Sequence, residues 1–221
     1  VCACPDWEND RGEHLCALVD HTMLPAILQR LLDERQFLSA YGGRSVSRIH
    51  AEHRDLGYLP GIGQAMIEYL PGESNSPLFG GNSNWRGPIW LPVNYLLIQS
   101  IEKFHRFLGD GFRVAAPCLG GRELTLNEIA TLIAERVVDL YRPDQTGQIP
   151  ALQGRPPFQG DPHWQEPLLF FEYFHADTGQ GLGACHQTGW TGLLANLVTR
   201  RYRRDIPSYW SRRQPAQRAA E

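Results

Sequence analysis

The chain has 221 residues, of which 42% are hydrophobic and 20% are charged. This composition is typical of a folded globular protein, and it excludes a wholly disordered, collagen-like or coiled-coil chain. The longest nearly apolar run, Ile89–Ile98, is much shorter than the ~20 residues that cross a bilayer. The sequence therefore predicts no transmembrane helix and no membrane partner.

The net charge of −3 conceals an uneven distribution along the chain. Residues 200–221 contain seven arginines and two acidic residues, whereas the other 199 residues contain 14 basic and 22 acidic groups. An acidic body disfavours a broad nucleic-acid interface, so we expect no nucleic-acid partner. We predict one domain over residues 1–199 and a basic, solvated, frayed tail over 200–221. RNA binding by this tail is the weaker alternative.

The cysteines are odd in number and irregularly spaced, which argues against a disulfide framework. They are Cys2, Cys4, Cys16, Cys118 and Cys185. We interpret them as free thiols in a reducing compartment, and we expect a cytoplasmic protein. A metal cluster of the first three with His14 is disfavoured, because Cys-x-Cys lacks the spacer of zinc knuckles. His50 and His53 have no third ligand nearby in the sequence, and we expect no metal and no cofactor.

Four segments show helical patterns. The first is an apolar stripe over Leu24–Leu32, and the second runs from about Pro92 to Leu108. The third begins at a capping box formed by Thr125 and Glu128. The fourth begins near Thr188 and carries apolar residues at helical spacing.

The segments between the helices, roughly 34–90, 109–124 and 142–167, are rich in Gly and Pro. We interpret them as long loops, which in a compact domain are usually functional or disordered. The chain contains no GxGxxG, P-loop, HExxH or GxSxG motif. The commonest nucleotide-binding, zinc-protease and serine-hydrolase functions are therefore excluded.

Residues 80–95 form the first candidate site motif, Gly-Gly-Asn-Ser-Asn-Trp-Arg-Gly-Pro-Ile-Trp-Leu-Pro-Val-Asn-Tyr. Trp85 and Trp90 flank Arg86 and lead into the second helix. Tryptophan faces suit the apolar faces of sugar rings, and arginine can donate hydrogen bonds to hydroxyl groups. The alternative is a buried tryptophan pair with Arg86 in an ion pair.

Residues 168–191 form the second motif, in which Glu172 and Tyr173 lie inside an aromatic and aliphatic run. A carboxylate in such surroundings is costly unless it is hydrogen-bonded or has a function, and proton transfer is the function it suits. His186 and Gln187 then lie at the entrance to the fourth helix. The alternatives are that Glu172 caps a helix or pairs with an arginine.

Together the two motifs resemble glycoside hydrolase family 63, which comprises the processing α-glucosidases and bacterial relatives that include mannosylglycerate hydrolase-like proteins. The matching residues are Asn84–Trp90, Asn94–Tyr95, Glu172–Tyr173, Gly181–Gly183 and His186–Thr191. Cys185 stands where similar proteins are expected to have serine. The resemblance covers roughly residues 20–200.

The resemblance implies an all-α fold, the C-terminal portion of an (α/α)6 barrel, or toroid, with long Gly- and Pro-rich loops. It also implies an inverting mechanism on an α-linked glucoside or related α-glycoside. By this resemblance, Glu172 matches the general base of the family. The implied sugar-binding residues are Trp85, Trp90 and Gln187, and the implied orienting residues are Arg86, Tyr173 and His186. The expected partner is an oligosaccharide or small glycoside.

The same family implies a general acid, an aspartate in the earlier half of the barrel. No segment before residue 80 resembles its surroundings. We therefore expect this chain to be the C-terminal portion of the catalytic domain, to need the missing N-terminal half as its partner, and to be inactive alone. Two alternatives stay open. One is a non-catalytic carbohydrate-binding or scaffold module, and the other is a trehalase-like or debranching glycosidase.

Overall fold

The fold comes from a computed structural model, which describes residues 6–53, 55–61, 63–75, 84–154, 169–186 and 189–202. Cys2, Cys4, Gln187 and residues 203–221 of the predicted tail lie outside this described part. None of the helices in the described part is long and apolar enough to cross a membrane.

The described residues contain four α-helices, and each corresponds to one of the helical patterns in the sequence. They are α1 (Met23–Leu31), α2 (Leu91–Leu108), α3 (Leu126–Val138) and α4 (Leu193–Tyr202). A single turn of 3-10 helix, Gly189–Gly192, leads directly into α4. The predicted capping box of α3 is confirmed. Thr125 Oγ1 accepts the Glu128 N–H at 3.2 Å, and Glu128 Oε2 accepts the Thr125 N–H at 2.8 Å.

The described residues also contain eleven short strands. They are β1 (Asp6–Glu8), β2 (His14–Cys16), β3 (Leu38–Ser39), β4 (Gly42–Gly43), β5 (Asp55–Leu59), β6 (Gly63–Ile67), β7 (Ile89–Trp90), β8 (Arg113–Ala116), β9 (Arg122–Thr125), β10 (Phe171–Phe174) and β11 (Gly181–Cys185). All pairings are antiparallel. Eight strands form the hairpins β1–β2, β3–β4, β5–β6 and β8–β9, and the other three form a sheet in the order β11–β10–β7.

The prediction of an all-α fold, the C-terminal portion of an (α/α)6 barrel, is wrong. The segments interpreted as loops contain antiparallel hairpins: β3 to β7 lie within 34–90, and β8 and most of β9 lie within 109–124. The strands are two to five residues long. Such strands are too short to display the alternating period of a half-buried strand, whereas the helices are long enough to show their 3.6-residue period.

The main core lies between the helices and the hairpins that cover them. Helices α2 and α3 contact each other along their length, and Ile98, Ile129 and Ile133 are completely buried there. Burying an aliphatic side chain of this size contributes about 1.5–3 kcal/mol, so this contact is a principal source of stability. Trp7, on β1, is also fully buried and packs against Phe104 of α2.

One buried amide connects this core to the three-stranded sheet. Asn94, in the first turn of α2, donates to the carbonyls of Gly43 and Trp90 at 3.0 Å and accepts the Gly43 N–H at 2.7 Å. Gly42 is needed here, because its φ is +121° and a Cβ would lie 2.8 Å from Asn94 Oδ1. Asn94 therefore holds β4 and the end of β7 to the start of α2.

Candidate functional site

A stack of three aromatic rings forms one side of the three-stranded sheet. Trp85 lies parallel to Trp90, with ring centroids 3.8 Å apart and planes 2° apart, and Trp90 lies 4.7 Å from Tyr173. The β7–β10 register places Tyr173 directly opposite Trp90. Trp90 and Tyr173 are almost fully buried, whereas Trp85 is 41% exposed. Trp85 is therefore the end of the stack that can present an aromatic face to a ligand.

Trp190, from the second motif, completes the aromatic cluster. It meets Trp90 nearly edge-on, at 6.3 Å and 77°. Its indole N–H is buried and has no hydrogen-bond partner in the part of the chain that the structure describes. This donor was not among the predicted site residues, although Trp190 lies in the family motif.

Asn84 fixes the geometry of the stack through backbone contacts. Its side-chain N–H groups donate to the carbonyls of Leu70 and Gly72 at 2.8 and 2.7 Å, and its side-chain oxygen accepts the Arg86 N–H at 3.0 Å. Its own carbonyl accepts the Trp90 indole N–H at 2.8 Å. Because Asn84 is 1% exposed, these hydrogen bonds are shielded from water and hold Trp85 and Trp90 in place.

Glu172 lies on β10, where the β10–β11 register shifts between Phe171 and Tyr173. Such a bulge changes the direction of a side chain, and bulges are common beside active sites. The half-buried carboxylate accepts the Ala184 N–H at 3.2 Å through Oε2. The alternative of a helix cap is therefore wrong, since Glu172 contacts a strand N–H.

The two glycines of β11 make room for the groups opposite them. At Gly183, whose φ is +68°, a Cβ would lie 2.6 Å from Glu172 Oε2 and 2.9 Å from the Tyr173 ring. At Gly181 a Cβ would lie 2.1 Å from the Phe171 ring. The Gly-Leu-Gly sequence thus allows the strand to approach β10 closely enough for Glu172 to reach its N–H donor.

Two carboxylates act on the Tyr173 hydroxyl. Burial, and then the negative charges of Glu73 and Glu172, raise the pKa of Tyr173 to about 12. The phenol is therefore protonated and neutral throughout the physiological range. Glu73 was not predicted from the sequence, where nothing distinguished it from any other exposed acid.

The remaining predicted residues lie around this centre. Arg86 donates to Ser74 Oγ at 3.0 Å and to Asn75 Oδ1 at 3.2 Å. His186 is exposed after β11, with a φ of +56°, and its ring meets Phe170 edge-on at 5.6 Å. The structure thus brings Glu172, Tyr173, Trp85 and Trp90 together, and Arg86 holds the segment that carries Glu73. Gln187 lies outside the described residues.

A second polar network connects the β10–β11 turn to the segments that carry Arg44 and Tyr69. The side chain of Arg44, 4% exposed, donates from Nε to the Tyr69 hydroxyl at 3.1 Å, and that hydroxyl donates to Asp177 at 2.9 Å. Burial is the main reason that the pKa of Tyr69 rises to about 12. Sequence reasoning missed this network, because Arg44 and Asp177 are 133 positions apart.

The described residues contain no group of three or more His, Cys, Asp or Glu side chains that could hold a metal ion. Cys118 and Cys185 are free thiols. The chemistry visible at the site is therefore that of one hydrogen-bonded carboxylate, a neutral phenol and an aromatic face. Such a combination can bind an apolar ring face, orient hydroxyl groups and move a proton.

The profile of the mannosylglycerate hydrolase MGH1-like glycoside hydrolase domain matches residues 14–191. An uncharacterized protein of Saccharomyces cerevisiae is 44% identical over 191 residues, which are 85% of this chain and 18% of that protein. The probable mannosyl-oligosaccharide glucosidase of Schizosaccharomyces pombe is 23% identical over 184 residues, 83% of this chain and 16% of that protein. The mannosyl-oligosaccharide glucosidase of S. cerevisiae is 27% identical over 124 residues, 55% of this chain and 12% of that protein.

The chain therefore spans less than a fifth of the length of these curated relatives. The matches confirm the resemblance to glycoside hydrolase family 63 that the two motifs indicated.

Proposed function

Because this chain belongs to the MGH1-like glycoside hydrolase domain family, we propose that it supplies the general base and part of the sugar site of an inverting α-glycosidase. The proposed substrate is an oligosaccharide or small glycoside with an α-linked glucose or related sugar. Two of the relatives bear the name mannosyl-oligosaccharide glucosidase, which supports this substrate class.

The observation that carries the proposal is the position of Glu172 beside the aromatic stack. The carboxylate is held by the Ala184 N–H, and the next residue along β10, Tyr173, is the inner ring of the stack that ends at Trp85. In this proposal, a sugar bound at the aromatic cluster uses the fixed carboxylate of Glu172 as its proton acceptor.

In the proposed reaction, Glu172 takes a proton from water as the water oxygen attacks the anomeric carbon. The bond from that carbon to the leaving oxygen breaks, and a second carboxylic acid protonates that oxygen. Inverting enzymes keep the two carboxyl groups about 6.5–9.5 Å apart, which leaves room for the water. We propose that the second carboxyl lies in the part of the family's domain that this chain does not span.

Replacing Glu172 by Gln tests the assignment in the protein that carries this chain. We expect Glu172→Gln to lower kcat by about 10²–10⁴-fold, because the amide cannot accept the proton from water. Binding of D-glucose, followed by tryptophan fluorescence, should stay within about twofold, because the amide oxygen can still accept the Ala184 N–H. Glu123→Gln is the matched control, since Glu123 is exposed on β9 in a different sheet.

Unchanged turnover in Glu172→Gln would exclude the general-base role. Proton NMR of the first product formed tests inversion directly: an α-glucoside should release β-glucose before mutarotation. Release of α-glucose would instead indicate retention of configuration. If the wild-type protein binds glucose but hydrolyses neither α-glucosides nor trehalose, the non-catalytic carbohydrate-binding module becomes the better interpretation.

A further inference from the structure

Segment 70–75 crosses between the two motifs and is held at both. The Leu70 N–H donates to the Arg86 carbonyl at 2.7 Å, and the Leu70 and Gly72 carbonyls accept the two N–H groups of Asn84. On the other side, the Pro71 carbonyl accepts the Ala176 N–H at 2.9 Å, directly after β10. The backbone on the N-terminal side of Glu73 is therefore fixed by contacts to both motifs.

The residues that follow Glu73 are also held. Arg86 donates to Ser74 Oγ and to Asn75 Oδ1, so its guanidinium spans the two positions after Glu73. Gly72 fits closely against His175, since a Cβ there would lie 2.8 Å from the imidazole Cδ2. Glu73 is thus the one acidic side chain of segment 70–75, which is held by backbone contacts before Glu73 and by side-chain contacts after it.

The side chain of Glu73 itself is exposed, and it has no hydrogen bond or ion pair within the described ranges. Its charge nevertheless reaches the hydroxyl of Tyr173, as does the charge of Glu172. Both negative charges therefore raise the pKa of the same buried phenol. An acid left exposed at such a point is free to accept hydrogen bonds from a ligand.

The charges around Glu73 leave this part of the site negative. Burial lowers the pKa of His175, so the imidazole is neutral at pH 7 and adds no positive charge. The nearest cation in the motif, Arg86, is directed to Ser74 and Asn75. A ligand hydroxyl would be attracted to this surface, and a ligand carboxylate or phosphate would be repelled.

We infer that Glu73 is a specificity-determining residue of the sugar site, which accepts hydrogen bonds from sugar hydroxyls and selects neutral over anionic sugars. This inference rests on the proposed function, because it requires that the stack beside Glu172 binds a sugar. Glu73 contacts the substrate in this account and takes no part in the proton transfer assigned to Glu172.

The test compares D-glucose with D-glucuronate, which carries a carboxylate in place of the terminal hydroxymethyl group. Both are titrated against the protein that carries this chain, with tryptophan fluorescence as the readout, because Trp85, Trp90 and Trp190 surround the site. We expect Glu73→Gln to weaken glucose binding by about fivefold, as a charged acceptor is replaced by a neutral one. Its affinity for glucuronate should rise, so the preference for glucose should fall by about tenfold or more.

Two further variants separate charge from structure. Glu73→Asp keeps the negative charge and should keep most of the discrimination against glucuronate. Glu123→Gln removes an exposed charge from β9 and should leave both affinities unchanged. The discrimination in the wild-type protein should also weaken as ionic strength rises, because salt screens exposed charges.

The inference is overturned if Glu73→Gln binds both sugars with wild-type affinities, or if Glu73→Asp loses the discrimination as completely as Glu73→Gln does. These outcomes do not depend on whether Glu172 is the general base. Glu172→Gln can abolish turnover while Glu73→Gln has no effect, and then only the role of Glu73 fails. If Glu172→Gln keeps its turnover, the proposed mechanism fails, while the two affinities still decide the role of Glu73.

Discussion

Gly183 shows how closely the site depends on the absence of one side chain. Its φ of +68° is unfavourable for other residues, and its Cα faces both Glu172 and Tyr173. Any side chain there would displace the carboxylate from the Ala184 N–H or push the phenol out of the stack. The position of the proposed base is therefore set by a glycine on the neighbouring strand.

Gly183→Ala tests this dependence. We expect it to lower the free energy of unfolding by about 1–2 kcal/mol from the left-handed backbone alone. Turnover should fall at least tenfold, because the Cβ would occupy the space of Glu172 Oε2. The control is Gly111→Ala, where a Cβ would meet no atom within 4 Å. Urea unfolding and steady-state kinetics measure the two effects, and wild-type values for Gly183→Ala would show that the close approach is unimportant.

Among the elements, α3 has the clearest beginning. Its N-terminal N–H groups are partly satisfied by the reciprocal hydrogen bonds of Thr125 and Glu128. The same contact lowers the pKa of the Glu128 carboxyl, since backbone and side-chain hydrogen bonds from Thr125 favour its charged form. Helix α3 packs on α2, and the first turn of α2 holds β7 through Asn94. The cap therefore stabilises the helices on which β7 rests as well as α3 itself.

Thr125→Ala should lower the free energy of unfolding by about 1 kcal/mol, the usual cost of losing a side-chain N-cap. Thr131→Ala is the matched control, because Thr131 lies half-buried in the middle of the same helix and caps no terminal N–H; its hydroxyl donates to the Asn127 carbonyl. Thr131→Ala should lower the free energy of unfolding much less than Thr125→Ala, or raise it, since alanine has the higher helix propensity. Equal losses in both variants, measured by urea denaturation, would mean that the capping box contributes little.

The helices could be predicted from the sequence and the sheets could not, for a physical reason. A stripe over Leu24–Leu32 and a capping box at Thr125 are local signals, and α1 and α3 begin within two residues of them. By contrast, β7 is two residues long, and its partner β10 is more than 80 residues away. Pairing of that kind leaves no periodic pattern, which is why the all-α prediction failed.

Some residues of the candidate site could be predicted from the sequence, and others could not. Trp85, Trp90, Glu172 and Tyr173 were predicted because they lie in two motifs of rare residues, and the structure places them together. Glu73 was missed because its position depends on backbone carbonyls and on Asn84, which leave no signature at Glu73 itself. The role of each of these residues stays a prediction until the variants are measured.

At the scale of the whole molecule, the chain contains two motifs of a family, and its matched residues make up less than a fifth of each curated relative. We expect the purified 221-residue chain to hydrolyse no α-glucoside above the uncatalysed rate, because we propose that the general acid lies in the part that it does not span. Its tryptophan fluorescence should still respond to glucose, since the aromatic stack is formed by its own residues. Turnover comparable to that of a full-length relative would refute this expectation.

The pairing of Trp90 with Tyr173 also has a consequence for folding. Closing a loop of more than 80 residues costs chain entropy before any contact within the site compensates for it. Hairpins such as β8–β9 close short loops and can form early, whereas β7–β10 is the least local strand pair within the described residues. The aromatic stack should therefore appear late during refolding, and short peptides that carry only one of the two motifs should not form it.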